Sequence, residues 1–450
     1  MKNVPVQAER GSGFVAPSFS EKKFKFASIV GPAYSRFAQG VSGLDVINME
    51  LLYRAYLDFQ EKRTRLIILF KHGAKADGPV VLQTVVKELK KWCRKKDTPL
   101  SDAPHTHFLY GKDVLNWAGF LARWMFPAIG GIPVVNGRME KESHSVIRDI
   151  LTNGRFPVAF APEGQVTYHT YRTFPFSAGT SKLAAWTHQD LRRDGRNESV
   201  VVLPMAICYR YAKDMTKLLT TITGLLDKLT GLKTIDTDDK RQALLDTTTF
   251  LIDTLENSYA SAYPRIVDFS TQTELGKRIR RLCDMILRCH EATLGYKSKG
   301  EILDRVFKVR YWVMDSLHRD DIDLHTVSPV ERSLANHRAF VAAAAAEHQQ
   351  IVDLLEYVQP DYIAPGCSLT RLAEYGMNLL DLCNRISGGD VDSRFFCKGM
   401  RARILFGEPI DASAFFERTK GMMRQKLSGL DADIRSTFNN LVKQLEERYG

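Results

Sequence analysis

The sequence predicts an α/β fold, a layered mixed sheet flanked by helices, interrupted by a large all-α insertion. Three observations carry this. Between residues 65 and 207, short apolar runs of strand length alternate with segments whose apolar residues recur at helical spacing. From residue 213 to about 389 the alternation stops and helical periodicity takes over. Residues 401–406 then return to strand composition, most economically as a last strand of the first domain, which makes the helical stretch an insertion within it. The expected division is a tail and candidate membrane-contact segment over 1–40, an α/β domain over 41–212, a helical insertion over 213–397, and a closing strand and helix over 398–450.

In chain order, residues 1–20 are polar and punctuated by Gly and Pro, as in a mobile tail. Residues 20–37 mix Lys22, Lys23, Lys25 and Arg36 with Phe24, Phe26, Tyr34 and Phe37, a pattern that suits either an interfacial anchor or a helix packed on the domain. Residues 45–62 are periodic and read as a helix leading into the run 65–71. After Asp77-Gly78-Pro79, the apolar residues Val81, Leu82, Val85, Val86 and Leu89 share a helical face. Strands follow at 107–110, 132–135, 156–161 and 199–207, with helices over 114–128, 139–152 and 181–188 between them. In the second half the clearest helices are 273–289, 302–317, 332–357 and 369–386, and a final amphipathic helix runs from about 432 to 448.

The 450 residues carry 63 Lys and Arg against 52 Asp and Glu, a formal charge of +11. That balance favours an anionic partner: a phosphorylated substrate, nucleic acid or an acidic membrane surface. No zinc-knuckle spacing, arginine-rich arm or aromatic ribonucleoprotein motif is present, which argues against nucleic acid. The seven cysteines are scattered and odd in number, as in reduced thiols of a cytosolic protein. Cys283, Cys289 and His290 lie in a helical run and are assigned to packing, so no metal site is expected. The amino terminus lacks the apolar core of a signal peptide, and the longest apolar region, 114–135, is interrupted by Asn116, Arg123 and Pro127. The expectation is a cytoplasmic protein, soluble or peripheral to a membrane.

The chemistry concentrates at residues 65–79. His72 sits at the carboxyl end of a strand and Asp77 at the start of the next helix, with four residues between them, so the loop can fold the carboxylate back to the imidazole. In open sheets that crevice is where ligands bind. An Asp that accepts from one ring nitrogen fixes the tautomer and leaves the other nitrogen as a general base, without a nucleophile of the enzyme's own.

The ordered signals resemble the glycerolipid acyltransferase family, which includes the 1-acylglycerol-3-phosphate acyltransferases. His72 to Asp77 resembles its HxxxxD block, Lys112-Asp-Val-Leu115 its lysine before a short apolar helix, and Gly131-Ile-Pro-Val-Val135 its glycine-to-strand block. Pro162-Glu163-Gly164 resembles its Pro-Glu-Gly block, Gly179 after Pro175-Phe176 its following glycine, Val201-Val-Leu-Pro204 its valine-rich strand, and 407–410 its closing Gly-Glu-Pro-Ile. Each is weak alone; the common order makes them specific. They cover roughly residues 43–210 and 401–450 and leave the helical insertion unexplained.

The resemblance implies that His72, held by Asp77, takes the proton of a substrate hydroxyl, and that the alkoxide attacks the thioester of acyl-CoA or an acyl carrier protein. Backbone N–H groups near Gly73 or Gly164 would hold the oxyanion. Glu163 would orient the acceptor, with Lys112 also in the site. The only co-substrate implied is the acyl thioester. The acceptor would be a lysophosphatidate, another lysophospholipid or glycerol 3-phosphate, met at an anionic membrane surface. The chain departs from the family pattern in three places: Lys71 where Asn precedes the His, Gln165-Val166 where Thr-Arg follows Glu-Gly, and Val135-Asn136 where an arginine closes the second block. Those arginines resemble the family's phosphate ligands, and Arg138, Arg172 and Lys75 are the substitutes available. Two other functions compete: an inert lipid-binding scaffold on the same fold and an acyl-thioesterase. In structural terms alone, Asp77 is also a plausible helix cap, Glu163 a turn carboxylate, Lys112 a surface lysine and His72 a structural histidine.

Overall fold

The computed structural model describes residues 6–117, 119–135, 140–176, 179–234, 237–264, 273–390, 393–419 and 421–450. They fall into two compact units: residues 14–213 with 397–450, and residues 1–13 with 214–396.

The first unit is built on a mixed, mainly parallel sheet. Its strands are β1 (Val41–Ile47), β2 (Thr64–Phe70), β3 (His107–Gly111), β4 (Gly131–Val134), β5 (Val158–Phe160), β6 (Ser199–Arg210), β7 (Met400–Phe406) and β8 (Ile410–Asp411). Their order is β1-β7-β6-β2-β5-β3-β4, and β8 pairs with β6. From β6 to β4 every neighbouring pair is parallel, so β6, β2, β5, β3 and β4 end on the same edge. β7 runs antiparallel to β6 and parallel to β1.

Strand alternation splits the sheet's side chains between two covered faces. Ile67 and Leu69 of β2, Val158 and Phe160 of β5, and Val200 and Val202 of β6 pack under helices α5 (Lys141–Asn153), α6 (Gly179–Arg193), α13 (Ala412–Arg418) and α14 (Met423–Tyr449). Leu66 and Ile68 point the other way and are equally buried, on the side where α2 (Met49–Gln60) packs against β2. α3 starts at Asp77 and continues through a π-helical turn at Thr84–Glu88 to Lys96. Two further helices of this unit are α1 (Glu21–Phe37) and α4 (Gly119–Ala128).

Several expectations are corrected. Residues 45–62 are not one helix: β1 ends at Ile47, Asn48 takes a left-handed conformation (φ 59°), and α2 begins at Met49. The Asn48 side chain donates to the Phe406 carbonyl at 3.1 Å, tying this break to a strand far away in the chain. Within the described residues 6–20 the polar amino-terminal stretch is docked and not a free tail, since Glu9–Arg10 pairs in parallel with His318–Arg319. The Ser18 and Ser20 amides bond the Pro127 and Ala128 carbonyls, each at 2.9 Å. The closing helix starts at Met423, about two turns before its amphipathic signal.

The second unit holds α7 (Met215–Thr230), α8 (Lys240–Ala262), α9 (Leu275–Thr293), α10 (Ile302–Leu317), α11 (Pro329–Tyr357) and α12 (Leu369–Ile386). α11 opens on a capping box between Ser328 and Glu331. In α10 the buried Arg305 guanidinium is held by Glu291 at 2.8 Å and by Asp284 at 2.5 Å. No described helix of either unit is long and apolar enough to cross a membrane.

Candidate active site

The blocks singled out in the sequence stand at the carboxyl ends of adjacent parallel strands, because strand order brings together what the chain separates. His72 follows β2, Glu163 follows β5 and Lys112 follows β3, and these three strands are neighbours in the sheet. Arg138, in the segment after β4, lies outside the described residues.

The loop between β2 and α3 folds the Asp77 carboxylate back onto the imidazole: His72 Nδ1 lies 3.1 Å from Asp77 Oδ2. The same oxygen accepts the Ala74 amide at 2.8 Å, closing the turn. Asp77 is the first residue of α3, with Ala76 at the cap position, so its carboxylate faces the loop instead of capping the helix. It is fully buried, whereas the His72 side chain is 23% exposed. The ring therefore has a hidden, carboxylate-bound edge and reaches the surface with the rest. Phe70 meets it edge-on, with centroids 5.8 Å apart.

Asp77 has a second partner that sequence reasoning missed. The Tyr209 hydroxyl, from β6, donates to Asp77 Oδ1. Burial, and then the Asp77 charge, push the Tyr209 phenol well above its usual value, so it stays protonated and keeps donating. Both carboxylate oxygens are thus fixed before any substrate arrives.

Glu163 sits beneath the histidine. Its Oε1 accepts from Lys71 Nζ at 2.8 Å and from the Phe174 amide at 2.9 Å, and its Oε2 accepts from the His72 amide at 2.9 Å. All these contacts run inward, and the Lys71 and Glu163 side chains are 0% and 1% exposed. The carboxylate expected to orient an acceptor instead holds the backbone of His72 and the loop after β5. Lys71 reaches Thr167 Oγ1 as well, at 3.2 Å, and Thr167 donates to the His72 carbonyl through both its amide (2.8 Å) and its hydroxyl (3.1 Å). The departure from the family pattern at Lys71 therefore has a structural partner: a buried ammonium is tolerable only because Glu163 and Thr167 receive it.

Gly164 has φ +71°, which suits glycine, and its amide bonds the Ala161 carbonyl at 3.2 Å to make the turn after β5. Lys112 is ion-paired with Glu140 at 3.3 Å, partly buried at the end of β3. Lys75 is half-buried in the His72 to Asp77 loop, and Arg172 is half-buried in the loop that also supplies Thr167 and Phe174. The cleft lined by His144, Arg148, Asp190 and Arg193, between α5 and α6, contains none of these residues. No group of His, Cys, Asp and Glu suited to a metal ion occurs among the described residues.

The sequence signal available for Lys71 was a lysine directly after the apolar run 66–70; Tyr209, at the end of a run of apolar residues, carried none. Compared with protein families, curated proteins and solved structures, the chain matches none.

Proposed function

We propose that this chain is an O-acyltransferase. It moves a fatty acyl group from acyl-CoA or an acyl carrier protein to a hydroxyl of a glycerolipid precursor: lysophosphatidate, another lysophospholipid or glycerol 3-phosphate. The observation that carries this is the His72 imidazole, partly exposed at the end of a parallel strand and bound through Nδ1 to a buried, doubly held carboxylate. That arrangement supports a proton acceptor at Nε2 and supplies no nucleophile, as direct transfer between substrates requires.

In this mechanism His72 Nε2 takes the proton of the acceptor hydroxyl as its oxygen attacks the thioester carbonyl. Asp77 stabilises the imidazolium. The tetrahedral intermediate collapses with cleavage of the C–S bond, and the thiolate takes the proton back from His72. The Ala74 amide is engaged by Asp77 and the Gly164 amide by Ala161, so the Gly73 amide is assigned to the oxyanion. Lys75 and Arg172 are the cations assigned to an acceptor phosphate, and Lys112 enters only by exchanging its Glu140 partner. The resemblance of the ordered blocks to the glycerolipid acyltransferases supports the same assignment and a peripheral, cytoplasmic enzyme.

Thiol release from acyl-CoA, measured with and without lysophosphatidate or glycerol 3-phosphate, tests the proposal. Release that requires the acceptor, with a matching acylated product, is expected. Release without an acceptor would replace transfer by hydrolysis, and none with any donor and acceptor would leave a non-catalytic lipid-binding protein.

A further inference from the structure

We infer that the outer face formed by α1 and α4 is a docking surface for an anionic lipid bilayer. The inference deepens the peripheral placement proposed above by naming the surface, and its test reads lipid binding without turnover, so it can fail or hold apart from acyl transfer.

α1 is packed inside out. Apart from Phe24, which packs on the buried His105 with ring centroids 4.4 Å apart, the residues it turns inward are small: Ala27, Ser28 and Gly31 are half-buried and Ser35 is buried. Its other large apolar side chains face solvent, with Phe26 51% exposed, Ile29 78% and Phe37 76%. α4 does the same beside it, exposing Phe120 (81%), Leu121 (61%) and Trp124. The two helices touch: the Lys23 ammonium lies 4.6 Å from the centre of the Trp124 ring, and the backbone leading into α1 bonds the carbonyls at the end of α4. Two helices in contact thus each expose large apolar side chains. A folding core does not explain it, because beyond Phe24 the large apolar side chains of α1 leave the core and small ones enter it.

The fringe identifies the occupant. Lys22, Lys25 and Arg36 are exposed on α1, and Arg123 is exposed on α4. The one acidic residue of α1, Glu21, is bound to Arg155 at 3.1 Å, and α4 has none. Apolar side chains ringed by cations, with an amphipathic tryptophan at the boundary, match an interfacial helix on anionic lipid, where lysine and arginine stems run along the apolar surface to the head groups. A second copy would instead bring one positive patch against another. α1 has 17 residues, four cations and an internal proline, so it lies in the interface and does not span it. α1 packs against the segment of α3 between residues 77 and 83.

Flotation of the full chain with vesicles of phosphatidylglycerol and phosphatidylcholine, against phosphatidylcholine alone, tests this without turnover. The chain is expected to float with the anionic vesicles, at least about tenfold more weakly with the neutral ones, and less as salt is raised. The pair Ile29→Asp and Phe37→Asp, and separately Phe120→Asp, should each reduce partitioning about tenfold or more. Their thermal midpoints should stay unchanged, since the side chains replaced are exposed. Failure of the wild type to float at low salt, or variants that float like it, would overturn the inference. So would a wild-type dimer in light scattering that the Ile29→Asp, Phe37→Asp pair dissociates, because the patch would then belong to a second copy.

Discussion

Lys71 and Glu163 form an ion pair of 2.8 Å in a space where neither side chain reaches solvent. Removing one partner leaves the other charge buried, which costs about 3–5 kcal/mol, whereas removing both can be nearly neutral. Lys71→Met alone should therefore destabilise the fold by about 3 kcal/mol or more in urea unfolding. Lys71→Met with Glu163→Gln should recover most of that loss. A double variant as unstable as the sum of the singles would contradict the pairing.

His72→Ala should abolish transfer while leaving the protein folded. General-base catalysis is worth about 10²–10⁴-fold, and without the ring the buried Asp77 carboxylate still accepts from the Ala74 amide and the Tyr209 hydroxyl. The check is thiol release together with a thermal melt; full activity in a folded variant would remove His72 from the mechanism. Asp77→Asn should lose activity too, because an amide no longer fixes the imidazole tautomer.

Tyr209→Phe tests positioning. It deletes one donor to a fully buried carboxylate and should cost about 1–3 kcal/mol in stability. If the hydroxyl only supports the fold, kcat at a temperature well below the melt stays at the wild-type value. If it holds Asp77 for His72, kcat falls by about tenfold with KM unchanged.

The buried His105 makes stability sensitive to acid. Its ring lies among Phe19, Phe24 and Phe156, and Nε2 donates to the Ile129 carbonyl at 2.9 Å. Nδ1 has no hydrogen-bond partner among the described residues. Burial first, then His107, lower its pKa from near 6.5 to about 3. The folded state therefore holds this ring neutral while the unfolded chain protonates it. The contribution is complete above about pH 6.5 and is lost as pH falls toward 3, with the unfolded state binding the extra proton between those limits. By pH 5 the loss from this one group is about 2 kcal/mol. Urea unfolding at pH 7.5 and 5.0 should show it, and His105→Phe should shrink the difference; an equal difference in both proteins would assign the acid sensitivity elsewhere.

Much of this protein was legible in its sequence because the signals are local. The apolar runs at 65–71 and 199–207 report burial on both faces of a sheet, and the spacing of Val81, Val85 and Leu89 reports one buried helix face; each pattern is written within a single element. The six residues from His72 to Asp77 likewise span one loop, so their contact was readable from spacing. β1 was not. Its Val-Ser-Gly-Leu-Asp-Val-Ile run is half polar and becomes a strand by pairing Leu44 with Ala402 and Val46 with Ile404, partners that no local window contains.

The roles of Glu163 and Tyr209 were equally out of reach. The sequence by itself determined the alternation of elements, the break into helices near residue 213 and the pairing of His72 with Asp77. Tertiary structure decided that Glu163 lies under His72 with Lys71, that Tyr209 holds the far oxygen of Asp77, and that α1 turns its aromatic face outward. The physical reason is range. Periodicity encodes which side of an element is buried, while a hydrogen bond across 91 or 132 residues exists only once strand order has brought the two ends together.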